Sequence, residues 1–183
     1  FKDHPYHVSG IGPMSNIENI TRADMYQYFK ANYTAKNMVI GVAGDVYPHQ
    51  LKKMAKKYFS RLNPGRKNPR VFTREPEQLG EKRLYVHKDV SAPHLMVVYH
   101  VPESGSKDYY PLDMLDSILG KGKSSRLYKA LIDDKQLAVN VRTFIFRSLD
   151  PHLFNIYAIC AKDVNEDVLE KAIHQEINKI IKE

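Results

Sequence analysis

The sequence predicts an α+β fold in which an antiparallel β-sheet carries helices packed on one face. Three observations point there. Apolar runs with strand character fall into pairs, and segments with helical spacing fall into pairs between them. The last two strand-like runs, 138–146 and 153–161, are joined by the short stretch RSLDPH. That stretch suits a hairpin and is too short for the crossover that parallel neighbours need. Strand pairs alternating with helix pairs, without regular crossovers, indicate α+β rather than a doubly wound sheet.

The elements follow in order. Thr21 can cap the helix TRADMYQYFKANY, with Asp24 at the capping-box position, and the helix runs to about Tyr33. Residues 37–44, NMVIGVAG, form a short apolar run between turn residues and read as a buried strand. Pro48 sets the first turn of the next helix, where Leu51, Met54, Ala55, Tyr58, Phe59 and Leu62 repeat at helical spacing as a core-facing stripe. Residues 83–88 and 94–101 read as strands; in the second, Leu95, Val97, Tyr99 and Val101 share one face. Leu112, Leu115 and Leu119 mark a helix from about Asp108, and 125–133 another. After the hairpin, Asn165 caps a last helix with Glu166 and Asp167 in its first turn. Its predicted buried stripe is Val168, Leu169, Ala172, Ile173, Ile177, Ile180 and Ile181.

This order divides the chain into 1–63, the end of a first α/β subdomain (helix–strand–helix); a Pro/Gly linker at 64–81; and a second α+β subdomain at 82–183. The chain opens FKDHPY and closes NKIIKE in mid-pattern, so it is expected to be a segment of something longer. No apolar run approaches the roughly 20 residues of a membrane-spanning helix.

The net charge of +7 is uneven: residues 46–74 hold nine Lys or Arg and no acid. Nucleic acid would favour such a segment. Helical spacing gives a plainer account, because Lys52, Lys53, Lys56 and Lys57 fall opposite the apolar stripe on a solvated face. Each large apolar side chain buried stabilises by about 1.5–3 kcal/mol, against about 0.3–0.5 kcal/mol for a charge pair on an exposed helix. The stripe therefore dictates this helix, and nucleic-acid binding through 52–74 stands only as a remote alternative.

Candidate chemistry is sparse. Gly122-Lys123-Ser124 suggests a phosphate loop, but that motif needs Gly where Ser117 stands and a strand where a helix precedes it. Gly120 and Gly122 read instead as a helix end, with Ser124 capping the next helix. Among eight histidines no pair has the i, i+4 or i, i+2 spacing that aims two at one metal; His4 and His7 come closest, around Pro5. Asp133-Asp134 reads as a solvated helix end before Lys135. The single cysteine, Cys160, excludes an internal disulfide and reads as a buried core residue. No residue is assigned a catalytic, metal-binding or substrate-binding role.

Taken together, four segments resemble a known family. HPYHVSGIGPMSNIENITRADMYQYFKANYTAKNMVIGVAGDV, the helix ending YFSRL, SAPHLMVVYHVPESGSKDYYPLDMLDSILGKGKSSRLYKAL, and the hairpin with its final helix follow one another as they do in the pitrilysin/insulysin (M16) zinc metallopeptidases. The resemblance is to their bacterial processing-peptidase-like branch. It implies the M16/LuxS-like metallohydrolase fold, and it makes GKGKSSRLY a family turn in which Arg126 and Leu127 orient the second helix on the sheet. It also implies a zinc held upstream, by an H-x-x-E-H helix and a further Glu, whose motif does not occur here.

Degenerate halves of this family carry an Arg and a Tyr in the pattern L-R-x-x-x-x-L-x-Y. In the matching stretch, Leu131 to Val139, Ile132 and Val139 occupy those places, and KQLAV is closer to the zinc-bearing half. The expectation is thus the scaffold and chamber wall of a zinc endopeptidase, with zinc in the full-length protein and none here. Its partners would be a peptide substrate and the other half or subunit. The alternative is a non-catalytic relative serving assembly. A bacterial periplasm or cytoplasm would both suit it.

Overall fold

The computed structural model describes residues 1–182. They divide into two compact units, Phe1–Arg83 and the residues from Leu84 onward.

The first unit is helical. A 3-10 turn, Pro5–His7, leads to a short helix α1, Met14–Asn19, and then to α2, Arg22–Asn32. Thr21 closes the expected capping box: its hydroxyl accepts the Asp24 N–H at 3.2 Å and the Asp24 carboxylate accepts the Thr21 N–H at 3.0 Å. The Thr21 hydroxyl, which also donates to Asp24 Oδ2 at 2.6 Å, and the Thr21 N–H together hold the Asp24 carboxyl below its ordinary range. The third helix, α3, Pro48–Phe59, starts on Pro48 as predicted. Between α2 and α3, Asn37 makes a knot. Its amide donates to the Asn32 and Arg66 carbonyls and to Asn68 Oδ1 at 3.0–3.2 Å, and its Oδ1 accepts the Asn68 N–H at 3.0 Å. The Ala35 and Lys36 N–H groups reach the Asn63 and Pro64 carbonyls at 3.0 and 3.1 Å, so the chain entering residue 38 is fixed on both sides.

Two expectations for this unit fail. Residues 38–43 form no ladder, and Val39 is 97% exposed. A strand needs a neighbour to receive its N–H and C=O groups, and no described residue supplies one. The α3 stripe is also uncovered: Met54, Tyr58 and Phe59 are exposed and Leu51 is half-buried. The same holds for Met25, Tyr28 and Phe29 of α2 and for Tyr33 at its C-cap, which with Ile20 and Asp24 border an open apolar groove. Periodicity reported which face is apolar; nothing in this unit covers it.

Residues 64–81 contain neither helix nor strand. Besides the Asn68 bonds, they carry Glu75, whose carboxylate accepts the N–H groups of Lys2, Asp3 and His4 at 2.6–3.1 Å. Partial desolvation raises the Glu75 pKa, but the three amides and the terminal ammonium outweigh it and bring the group down from 4.5 to about 2. A depressed carboxylate pKa favours the anchored state above the free value and loses that contribution as pH falls. The attachment of residues 2–4 should therefore be complete above pH 4.5, weaken on acidification, and be lost as pH falls through about 2. Amide shifts of Lys2, Asp3 and His4 followed by NMR should titrate in that window, and Glu75→Gln should abolish the titration.

The second unit forms a three-stranded antiparallel sheet in the order β1-β3-β2, from β1, His94–Val101, β2, Ala138–Ile145, and β3, His152–Cys160. Residues 83–88, expected to be a strand, are exposed and form no ladder, for the same reason as 38–43. Three helical segments pack on one sheet face: α4, Tyr109–Gly120; α5, Arg126–Tyr128, which runs on into a π-helical turn, Lys129–Asp134; and α6, Glu166–Lys182. The π turn shows as an i→i+5 bond from the Lys135 N–H to the Ala130 carbonyl at 3.2 Å, where an ordinary helix was expected. Asn165 caps α6 through the Asp167 N–H at 2.7 Å.

The core is one cluster. Leu119, Leu127, Leu131, Leu169 and Ile173 from the helices meet Val141, Phe154, Ile156, Ala158 and Cys160 from the sheet. Leu95, Val97 and Val101 of β1 face it, as their alternation predicted, and Tyr99 reaches His174 of α6 at 3.4 Å. Burial and the Glu166 charge push the Cys160 thiol up, as suits an inert core residue. Two members of the α6 stripe lie outside the core: Val168 is 49% exposed and Ile181 74%.

Candidate functional site

The residues singled out by chemistry do not come together. His4 is buried, its Nδ1 accepts the Tyr6 N–H at 3.2 Å, and His7 Nδ1 lies 2.8 Å from the His4 carbonyl. These bonds build a turn. Among the described residues no group of three or more His, Cys, Asp or Glu is placed to hold a metal ion. The side chains present therefore do not fit a zinc site, which needs three or four ligands.

The GKGKSS loop is a helix-to-helix turn. Gly122 has φ 80°, and Ser125 rather than Ser124 stands at the N-cap, its hydroxyl donating to the Gly122 carbonyl at 2.7 Å. Gly120 serves contact rather than dihedral freedom: a Cβ there would lie 2.6 Å from the Thr143 backbone N. The loop base is acidic. Asp116 is fully buried; its Oδ2 lies 2.6 Å from Lys121 Nζ, which also reaches Asp113 at 3.3 Å. The bond to Asp116 holds the Lys121 ammonium above its ordinary pKa despite partial burial. A carboxylate beneath the loop disfavours phosphate and agrees with the turn reading.

Asp133 and Asp134 are exposed at the π turn, Ile132 packs against the core and Val139 is 62% exposed. The lysines of α3 are exposed, and Lys57 sits 5.3 Å from the Tyr58 ring. No helix of the described residues is long and apolar enough to cross a membrane.

Two buried acids escaped the sequence reading. Asp116 and Glu176 each occupy a stripe position, four residues after Leu112 and three after Ile173, so a polar residue interrupting a helical stripe was the available signal. Glu176 is matched by Lys179 at 2.7 Å and Lys135 at 3.8 Å, which ties α6 to the end of the π turn.

The sheet face away from the helices forms the most organised surface. One row across the strands reads Met96, Tyr157, Arg142. The Tyr157 hydroxyl is 2.7 Å from His94 Nδ1, and the Arg142 guanidinium lies 5.0 Å from the Tyr157 ring centroid and 5.7 Å from that of Phe144. Met96, Val98 and Phe146 around them are exposed.

Comparison with known proteins gives a consistent picture. Residues 19–183 match the family model described as "Peptidase M16 inactive domain". The chain is 34% identical over 182 residues to "Zinc protease PqqE" of Helicobacter pylori, covering 98% of this chain and 41% of that protein. It is 28% identical to the "Probable mitochondrial-processing peptidase subunit beta" of Schizosaccharomyces pombe, over 87% of this chain and 37% of that one. Among solved structures, a protease from Helicobacter pylori superposes with a TM-score of 0.91 at 32% identity, over 100% of this chain and 45% of that chain. The chain thus spans less than half the length of each of these proteins.

Proposed function

Because the chain belongs to the family described as the peptidase M16 inactive domain, we propose that it is the scaffold and chamber-wall portion of one half of a zinc-dependent endopeptidase. In this reading peptide-bond hydrolysis by zinc-activated water takes place on polypeptide outside these 183 residues, and no step passes through a side chain of this chain. Residues 1–63 complete the first subdomain of that half, 64–81 connect, and 82–183 form the second. The KQLAV stretch supports the zinc-bearing half over the degenerate one.

The observation that carries the proposal is the uncovered apolar surface of the first unit. The α2 groove, the α3 stripe and the unpaired run 38–43 are all amphipathic or apolar elements without a cover. A relative of which this chain spans 41% has the length to supply one. The partner is then a zinc-bearing segment packing on these faces.

Two measurements test the reading. The chain alone, desalted and examined by metal analysis, should retain far less than one zinc per chain, and His4→Ala with His7→Ala should change nothing. Stoichiometric zinc that these two substitutions remove would overturn it. The chain mixed with a separately produced upstream zinc-bearing segment should cleave a peptide that neither cleaves alone. The family description as an inactive domain favours a second reading, a non-catalytic assembly subunit. An upstream segment with a degraded H-x-x-E-H, and a mixture that forms a complex without cleavage, would establish that one.

A further inference from the structure

We infer that the open sheet face of the second unit is a docking site for an extended peptide carrying an internal acidic residue flanked by apolar ones, with Arg142 receiving the carboxylate. The inference is independent of catalysis and holds whether or not the assembled protein cleaves peptides.

The charge on this face is one-sided. The strands HLMVVYHV, AVNVRTFI and HLFNIYAIC contain no Asp or Glu. Arg142 is exposed, and no carboxylate of the described residues pairs with it. A guanidinium in water normally samples many rotamers, but here two aromatic faces, Tyr157 and Phe144, hold it. Tyr157 is in turn fixed from the opposite strand by His94 at 2.7 Å. The result is a planar fork of five donors, preorganised and without an acceptor, which is the geometry that carboxylates match.

The surroundings select the occupant. Met96 and Val98 lie on the β1 side of Tyr157, and Phe144 and Phe146 extend along β2, so apolar ground borders the charge on both sides. That suits a residue inside a peptide rather than a chain end. Three strands at about 4.8 Å spacing span about 10 Å, the length of roughly three extended residues. With Arg142 on the edge strand β2, the acidic residue sits over the guanidinium, one apolar neighbour crosses toward Tyr157 and Met96, and the other follows Phe144 and Phe146 along the edge.

The test uses the 183-residue chain and two peptides blocked at both ends, Ac-Ala-Val-Glu-Phe-Ala-NH2 and its Gln counterpart, titrated by NMR. The Glu peptide should bind about tenfold more tightly, shift the Arg142 Nε and Tyr157 signals, and lose its advantage as salt rises. Arg142→Gln should abolish the preference. Arg142→Lys, which keeps charge and loses the fork, should retain only part of it and serves as the second variant should the first fail to fold. Equal binding of the two peptides, or a preference that survives Arg142→Gln, would overturn the inference. So would self-association by sedimentation that Arg142→Gln dissolves, since the occupant would then be a second copy.

Discussion

Replacing Ile173 by alanine should lower the unfolding free energy of the C-terminal unit by about 2–5 kcal/mol, while Ile181→Ala in the same helix should change it by less than about 0.5 kcal/mol. Both residues belong to one helical stripe in the sequence. Ile173 has no exposed surface and sits against Leu169 and the sheet residues of the core, whereas Ile181 is 74% exposed. Truncating Ile173 removes buried methyl groups and leaves a cavity in a cluster whose other members, Leu127, Leu131 and Ile156 among them, are themselves buried and cannot readily close over it. Truncating Ile181 returns surface that water already wets. Urea unfolding read on the second unit, with the midpoint converted at fixed slope, measures both values. A cost at Ile173 no larger than at Ile181 would mean that α6 is docked differently.

Gly120→Ala should destabilise by about 2 kcal/mol, even though alanine gains up to about 1 kcal/mol of helix propensity over glycine. The added methyl would lie 2.5 Å from Thr143 Cγ2 and 2.6 Å from the Thr143 backbone N. A side chain can rotate away; a backbone nitrogen held in the β2–β3 ladder cannot. Helix α4 must therefore lift from the sheet, and with it the bond from the Thr143 hydroxyl to the Asp116 carbonyl at 3.0 Å is lost. Adding Thr143→Ala to the glycine variant should recover only part of the loss, because the backbone contact persists. Full recovery would show that the side chain alone sets the approach.

The second unit was legible because its strands, helices and caps find their partners within the same hundred residues. β1 matches the predicted 94–101, and the hairpin and the α6 cap fell where turn residues and Asn165 put them. The first unit was legible in its helices and misread in its burial. A periodic stripe such as Leu51 to Leu62 states which face is apolar; whether another layer covers it depends on polypeptide that the pattern does not contain. The Arg142–Tyr157–His94 group was invisible for another reason. It joins three strands whose register is set partly by an irregularity between Ala138 and Asn140, and a slip of one residue would send Arg142 to the opposite face.

The Asn37 knot has a kinetic and entropic consequence. Ordering a free residue costs about 1–2 kcal/mol in backbone entropy. Because Ala35, Lys36 and Asn37 pin the chain to Asn63, Pro64 and Asn68 respectively, the run beginning at Met38 leaves an anchored base in extended form. Part of its conformational search is over before any neighbouring strand arrives, so pairing along it can proceed by zippering outward from residue 38 instead of by capture of a loose tail.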